Sequence, residues 1–224
     1  MSEHPAFAVN ILFHGIGEPR RDLEPGEDRY WVGRDQFLAV LDEVASWPRA
    51  RLSFDDSNTS DVEIALPALL ERGLTADFFV LAGRLGKPGS LGADDLRTLA
   101  GTGMTVGTHG MQHHPWRRLD AATIDDELVV ARDRLASAVG RPITMAGCPL
   151  GRYDRATLTA LRRLGYRTVF TSDRRPARPG AWLQPRFSVY REDTPGSVRD
   201  AVLRSGRPAA RVRAAAVGAV KRRR

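Results

Sequence analysis

Short apolar runs recur along the chain and alternate with segments of helical periodicity. The runs are Ala8–Phe13, Arg51–Phe54, Ala76–Leu81, Met104–Val106, Ile143–Ala146, Arg167–Thr171 and Arg186–Val189. Many of their residues are β-branched or aromatic, which predicts buried strands. The helical stripes between them are Val62, Ala65, Leu66, Leu69 and Leu70, and Ile124, Leu128, Ala131, Leu135 and Ala138. Strands that alternate with helices imply a mostly parallel sheet.

Helix boundaries and chain length set the expected architecture. Asp154 is placed to cap a helix that carries three leucines, and Gly165 follows where a left-handed C-terminal residue is expected. A chain of 224 residues is an ordinary length for one α/β barrel. We therefore predict an α/β fold, a distorted (β/α) barrel with about seven mostly parallel strands. An open, doubly wound sheet is the alternative.

Basic residues are concentrated towards the C-terminal end. The net charge is +7, yet residues 201–224 hold eight basic residues and no acidic one, which leaves 26 basic against 27 acidic residues elsewhere. We predict a catalytic domain over residues 1–200 and a basic tail over residues 201–224. Such a tail favours solubility or loose contact with an anionic membrane or polymer, and specific binding of nucleic acid is not expected.

The composition, with 42% hydrophobic and 27% charged residues, is that of a globular protein. No apolar run approaches the ~20 residues needed to span a bilayer. Residues 1–10 contain Glu3 and no Lys or Arg, unlike the start of a secretory signal. We expect the protein in the cytoplasm, with peripheral membrane contact through the basic tail as a further expectation.

Polar residues that directly follow the predicted strands are the candidates for a ligand site, because α/β folds bind ligands at the carboxyl ends of their strands. This rule selects His14, the pair Asp55–Asp56, His109 and Cys148–Pro149. Cys148 is the only cysteine, which excludes an internal disulfide and a multi-cysteine metal site. Metal ligands would therefore be histidines and carboxylates.

Asp55 and Asp56 place two carboxylates side by side where a buried strand ends. Adjacent negative charges at such a position favour a compensating cation, for example a divalent metal. Alternatively, one aspartate caps a helix that begins near Thr59 while the other is solvated. The pair alone leaves both interpretations open.

His109 and His113 are spaced i, i+4, and one helical turn would put both imidazoles on the same face for chelation of one ion. A role unrelated to metal is the alternative. Pro115 disfavours helix at His114, so we expect His114 to be a surface histidine that points elsewhere. Together, one carboxylate and two histidines supply three ligands and leave a coordination position for water and substrate.

Four short motifs follow one another in a defined order. They are Ser53-Phe54-Asp55-Asp56, Thr75-Ala76-Asp77-Phe78-Phe79-Val80, Gly107-Thr108-His109 with His113, and Pro149-Leu150-Gly151. This order resembles the polysaccharide deacetylases of the carbohydrate esterase class, and the resemblance covers roughly residues 8–189. It implies that Asp55 is the catalytic base and that Asp56 binds a metal together with the two histidines.

Two departures from the family pattern concern single residues. Gly110 stands where the family usually has Ser or Thr after the first metal histidine, which removes a hydroxyl but no ligand. Gly147 stands where the third motif usually begins with an arginine that orients the catalytic base. Arg186, after a later proline-rich loop, is a candidate substitute; a surface or core-edge arginine is the alternative.

The histidine that usually supplies the general acid near the C-terminus of the family is absent, since no histidine follows His114. Some relatives that act on exported glucosamine polymers look circularly permuted, with a strand ending in histidine before the Asp-Asp motif. The segment Ile11-Leu12-Phe13-His14 resembles that arrangement. We therefore predict His14 as the acid, with a strand-end or capping histidine as the alternative.

The resemblance implies metal-assisted removal of N-acetyl groups from an amino-sugar glycan, glycolipid or sugar intermediate. Asp55 would take a proton from water, the Leu150 backbone N–H would help to hold the oxyanion, and His14 would protonate the departing amine. Zinc is the first expectation for these ligands, and cobalt or nickel fits them as well. Two alternatives are a hydrolase of another linear amide, and a catalytically weakened barrel that binds glycan or a partner.

Overall fold

One sheet of eight strands forms the centre of the molecule in the computed structural model, which describes residues 7–207. The strands are β1 (Val9–Phe13), β2 (Ala50–Asp55), β3 (Ala76–Val80), β4 (Thr105–Thr108), β5 (Met145–Gly147), β6 (Thr168–Thr171), β7 (Leu183–Pro185) and β8 (Phe187–Ser188). They are hydrogen-bonded in the order β7-β6-β5-β4-β3-β2-β1-β8, and each neighbouring pair is parallel. The predicted α/β class with a parallel sheet is confirmed.

The two ends of this sheet are consecutive halves of one extended segment, residues 183–188. β7 pairs with β6, and β8, which is separated from β7 by the single residue Arg186, pairs with β1. The Asn10 side chain on β1 connects β1 to β7 by donating a hydrogen bond to the Pro185 carbonyl oxygen (2.9 Å). The sheet therefore closes into a distorted barrel. It has eight strands rather than about seven. The additional strand is β7, which directly precedes the predicted last strand, Arg186–Val189, because the chain changes its hydrogen-bonding partner there from β6 to β1.

Helices follow the strands, as the apolar stripes predict. They are α1 (Arg34–Ala45), α2 (Leu66–Glu71), α3 (Ala93–Gly101), α4 (Ala121–Asp125), α5 (Ala131–Val139), α6 (Arg155–Arg163) and α7 (Pro195–Ser205). Two π-helical segments, Asp61–Ala65 and Asp126–Val130, run directly into α2 and α5. Asp154 caps α6 by accepting a hydrogen bond from the Thr157 N–H (2.9 Å), and Gly165 lies just beyond α6 with φ = 78°. Both predicted boundary residues are thus confirmed.

Alternation along β2 decides which side chains face the inside of the barrel. The ring of Phe54 packs between those of Phe13 and Phe78, with centroids 5.6 and 4.8 Å away. Ser53 and Asp55 point to the opposite face of the sheet. The packing that stabilises the core therefore also puts a carboxylate inside the barrel at the carboxyl end of β2.

Helix α7 is the last element of the described chain and packs against α1. It buries Val198 and Val202 and continues past the predicted boundary at residue 200, as far as Ser205. The rest of the predicted basic tail, residues 208–224, lies outside the described residues. Within residues 7–207, no helix is both long enough and apolar enough to cross a membrane.

Candidate metal centre and active site

The structure brings Asp56, His109 and His113 together beyond the carboxyl ends of β2 and β4. One ligand atom from each residue lies within 4.8 Å of the others. Asp56 Oδ1 is 3.5 Å from His109 Nε2 and 3.4 Å from His113 Nε2. A tetrahedral ion with bonds of about 2.1 Å holds its ligands roughly 3.4 Å apart. The observed separations therefore suit one such ion.

The carboxylate of Asp56 has the environment of a metal ligand. Its Oδ1 atom is buried and has no hydrogen-bond partner among the described residues, a costly state for a buried oxygen. Burial alone would raise the pKa of Asp56, but His113 and His14 outweigh it and hold that pKa well below its usual value. An ionised, unpartnered oxygen that faces two imidazoles fits a cation bound between them.

Both imidazoles are oriented through Nδ1, which leaves Nε2 to face the site. His109 Nδ1 lies 2.8 Å from the Gly147 carbonyl oxygen, and His113 Nδ1 lies 2.7 Å from Glu24 Oε2. These acceptors assign the proton of each ring to Nδ1. Burial lowers the pKa of His109 to about 4, so this imidazole is neutral near pH 7, which is the form that binds metal.

The loop that joins the two histidines is not the helical turn that their spacing predicted. Gly110 has φ = 87° and His113 has φ = 59°, so both lie in the left-handed region. These changes of backbone direction bring the two imidazole rings to a centroid separation of 5.4 Å. The prediction that the histidines converge holds, but the local geometry assigned to them was wrong.

Glu127 holds this loop in place, and sequence analysis missed it. Its buried carboxylate accepts hydrogen bonds from the N–H groups of Met111 (2.9 Å) and Gln112 (3.0 Å) and from Trp116 Nε1 (3.1 Å). Glu127 belongs to the π-helical segment before α5 and directly precedes Leu128 of the apolar stripe, where no local sequence signal marks a glutamate as buried. His114 has a side chain 59% exposed, as expected for a surface histidine, and its Nδ1 lies 3.6 Å from Glu127 Oε1.

Gly110→Ala is expected to destabilise the loop, because a Cβ atom on Gly110 would overlap the Glu127 carboxylate and would sit on a left-handed backbone. The free energy of unfolding in urea should fall by about 2 to 5 kcal/mol, from the left-handed backbone and the overpacking together. Gly140→Ala is the matched control, since Gly140 has φ = 74° and nothing within 4 Å of its Cβ position. It should lose only about 1 to 2 kcal/mol. Equal losses in both variants would show that Glu127 is not the reason for glycine here.

Asp55 points into the same site and is held by Arg186. Arg186 Nη1 donates to Asp55 Oδ1 (2.7 Å) and Nη2 donates to Asp55 Oδ2 (2.8 Å). Arg186 is fully buried, so it is not a surface arginine. A Cβ atom on Gly147 would lie 3.3 Å from Arg186 Nη2. The glycine at the family's motif-arginine position thus leaves room for a guanidinium that arrives from the β7–β8 junction.

A cavity of about 470 Å³ opens over these residues, and both His14 and Leu150 line it. His14 follows β1, its ring lies 4.6 Å from that of Tyr30, and its buried Nδ1 has no hydrogen-bond partner among the described residues. Burial lowers the pKa of His14, and Asp56 opposes this shift. Leu150 lies in a 3₁₀ turn, Pro149–Gly151, with φ = 54°. The proposed base, acid and oxyanion donor therefore border the same cavity as the three candidate metal ligands, and Arg186 reaches it through Asp55.

Glu24 is a second residue that sequence analysis missed. It lies in the loop between β1 and α1, and its carboxylate contacts both Arg84 and His113. Its backbone N–H donates to Glu27 Oε2 (2.8 Å), and Glu27 forms an ion pair with Arg21. A loop glutamate 89 residues away from its histidine has no local sequence signal.

Glu24→Ala is expected to weaken metal binding by about 10- to 100-fold, the usual cost of removing the partner of a ligating histidine. The physical reason is that His113 loses the acceptor that fixes its ring orientation. Glu63→Ala is the control, because this substitution removes the same charge and Glu63 pairs only with the exposed Arg20 among the described residues. Competition against a fluorescent zinc chelator measures the affinities. Unchanged affinity in Glu24→Ala would mean that the loop alone orients His113.

Comparisons with known proteins agree with the motif order. A family model described as "Polysaccharide deacetylase" matches residues 45–169. YxkH of Bacillus subtilis (strain 168), provisionally named a polysaccharide deacetylase, is 25% identical over 194 residues, which cover 80% of this chain and 68% of that protein. The range that the family model matches contains the aspartate pair, the histidine pair and Leu150, and it excludes His14 and Arg186.

Solved structures share the fold. The Streptococcus pyogenes deacetylase PplD in complex with acetate is 20% identical with a TM-score of 0.74, covering 91% of this chain and 100% of that one. IcaB from Ammonifex degensii is 21% identical with a TM-score of 0.72, covering 88% of this chain and 97% of that one. Identities this low establish the architecture alone.

Proposed function

The chain belongs to the polysaccharide deacetylase family, whose members are metal-dependent hydrolases of N-acetylated glycans, and we propose that it removes N-acetyl groups from an N-acetylglucosamine-type substrate. One observation carries the proposal. A three-ligand cluster with an unpartnered carboxylate oxygen and an arginine-held second carboxylate border the same cavity. That combination offers a cation site and a base at one place.

The ion is proposed to be zinc, because two imidazoles and one carboxylate in a three-ligand site suit it; cobalt and nickel fit the same donors. The chemistry that such an ion supplies is Lewis acidity towards a water molecule and a carbonyl oxygen. Asp56, His109 and His113 would hold it.

Asp55 is the proposed general base, which takes a proton from the attacking water. Arg186 binds both oxygens of this carboxylate and so fixes its position, which is what base catalysis requires. The alternative of a catalytically weakened barrel rests on the missing motif arginine. Arg186 supplies a guanidinium to Asp55 and removes the main argument for that alternative.

His14 and the Leu150 backbone are proposed to act on the leaving amine and on the acyl oxygen of the reacting amide. As the C–N bond breaks, His14 donates a proton to the departing amine, and the products are acetate and a free amino sugar. The Leu150 N–H, at the rim of the cavity, is proposed to stabilise the negative charge on the acyl oxygen.

Acetate release from short chitin oligomers tests the proposal. Zinc-loaded protein should release acetate from tri-N-acetylchitotriose and leave an N-acetyl-lysine peptide unchanged. Hydrolysis of the peptide but not of the oligomer would favour a hydrolase of another linear amide.

Location in the cytoplasm, with loose membrane contact through the tail, is proposed from the sequence alone, and cell fractionation tests it.

His14→Ala is expected to keep its metal while kcat falls and the alkaline limb of the pH–rate profile disappears. Because burial lowers the pKa of His14, its protonated form is lost at a lower pH than for an ordinary histidine. The wild-type limb should therefore lie on the acid side of the usual histidine value. His114→Ala, which changes an exposed histidine, should leave the profile unchanged. An unchanged kcat in His14→Ala would show that another group protonates the amine.

A further inference from the structure

Two arginines at the cavity mouth carry charge that the deacetylation mechanism does not use. Arg29 and Arg152 both line the cavity and are exposed. Neither forms an ion pair with any carboxylate within residues 7–207. Three other arginines near the site, Arg21, Arg84 and Arg186, each form an ion pair with a carboxylate.

The acidic residues that line the cavity already contact basic side chains. Glu24 contacts Arg84 and His113, Glu27 pairs with Arg21, and Asp55 pairs with Arg186. Asp56 faces the two ligand histidines. Among the residues that line the cavity mouth, Arg29 and Arg152 are therefore positive charges without a carboxylate partner, and such charges attract anions.

Arg29 is held in a defined orientation. Its guanidinium lies over the rings of Tyr30 and Tyr190, 5.3 and 4.9 Å from their centroids. Its carbonyl oxygen accepts a hydrogen bond from the Arg191 N–H (2.8 Å). A stacked guanidinium keeps its in-plane N–H donors free for a bidentate acceptor and loses little further entropy on binding.

The position of Arg29 relates it to the reacting amide. The Tyr30 ring, on which Arg29 stacks, also contacts the ring of His14. One aromatic ring therefore separates the free guanidinium from the proposed acid. An anion bound by Arg29 would belong to the substrate molecule itself, on the sugar that carries the acetamido group or on its neighbour.

We propose that the cavity selects phosphorylated N-acetyl amino sugars, with Arg29 binding the phosphate and Arg152 adding to the attraction from the β5 side of the mouth. This inference rests on the proposed deacetylation and narrows its substrate class. Phosphate fits the planar fork of arginine in a bidentate manner and carries more charge than a carboxylate. A sugar phosphate and a lipid-linked sugar phosphodiester share this chemistry.

Kinetics with matched substrates test the proposal. Acetate release is measured from N-acetylglucosamine 1-phosphate, from decyl-phospho-N-acetylglucosamine in phosphatidylcholine vesicles, and from methyl N-acetylglucosaminide. In the zinc-loaded wild type, kcat/KM should be on the order of tenfold higher for at least one phosphorylated substrate than for the neutral one. Whichever of the two phosphorylated substrates has the higher kcat/KM shows whether the phosphate comes from a sugar phosphate or from a lipid-linked sugar phosphodiester.

Arg29→Gln should abolish this preference by raising KM for the phosphorylated substrate, so that kcat/KM for the phosphorylated and the neutral substrate becomes equal within that variant. Arg163→Gln is the control, because it removes the same charge from an exposed position on α6 and should keep the preference. Equal kcat/KM for charged and neutral substrates in the wild type would overturn the proposal. So would a preference that survives in Arg29→Gln.

A binding measurement separates this inference from the proposed function. Calorimetry compares glucosamine 1-phosphate with glucosamine on the zinc-loaded protein and on Arg29→Gln, and needs no turnover. If no substrate releases acetate but glucosamine 1-phosphate binds in an Arg29-dependent manner, deacetylation fails and the phosphate site stands. Equal affinity for glucosamine 1-phosphate in the two proteins would refute the role of Arg29.

Discussion

Asp56→Ala and His113→Ala are expected to remove the bound metal and to lower acetate release by on the order of 10³-fold or more, while the barrel stays folded. The size follows from losing several kcal/mol of Lewis-acid stabilisation in the transition state. The fold should survive because both residues lie beyond the ends of β2 and β4, outside the packed core. Asp56 already lacks a hydrogen-bond partner for Oδ1, so its removal breaks no hydrogen bond at that atom.

Elemental analysis of the purified variants, with circular dichroism to confirm folding, measures this outcome. His114→Ala is the matched control, since it removes a neighbouring imidazole that is exposed and is not one of the three clustered ligands. It should retain about one metal per chain. Full metal occupancy in both Asp56→Ala and His113→Ala would disprove the assignment of the site.

Asp55→Asn is expected to keep the metal but to lower kcat by about 10²-fold or more, the scale for loss of a positioned general base. Asp55 uses both carboxylate oxygens to bind Arg186, whereas Asp56 faces the histidines. The substitution leaves the buried Arg186 without its counter-charge, so the free energy of unfolding should fall by about 3 to 5 kcal/mol. Metal analysis, kinetics and urea unfolding of the same preparation measure all three effects.

Arg186→Gln and the double variant complete this test. Since Arg186 acts through Asp55, Arg186→Gln should also lower kcat with metal retained. The double variant should lose little more than Asp55→Asn alone, because the two residues act as a unit. Metal loss in Asp55→Asn together with metal retention in Asp56→Asn would reverse the roles of the two aspartates.

Local sequence signals predicted those features whose cause is local. The alternation of apolar runs and helical stripes gave the parallel barrel, and Asp154 and Gly165 marked the ends of α6 because capping depends on neighbouring residues. The Asp-Asp and His-x-x-x-His motifs located the cluster of candidate metal ligands. Each of these motifs follows a strand, and parallel strands bring their carboxyl ends to one side of the sheet.

Contacts between distant segments were beyond what the sequence pattern could predict. The division of residues 183–188 into β7 and β8 follows from closure of the barrel, which no local period encodes. The left-handed backbone at His113 depends on Glu127 drawing the loop N–H groups away from a helix. Glu24 reaches His113 from another loop, and its charge resembled that of any surface glutamate.

Titration of the metal-free protein with Zn²⁺ or Co²⁺, while acetate release from tri-N-acetylchitotriose is followed, tests the central claim most directly. The account predicts that the rate starts near zero, rises linearly and stops rising at one equivalent of metal per chain, and that the same titration leaves Asp56→Ala inactive. Full acetate release by the metal-free protein, or equal activation of Asp56→Ala, would contradict it.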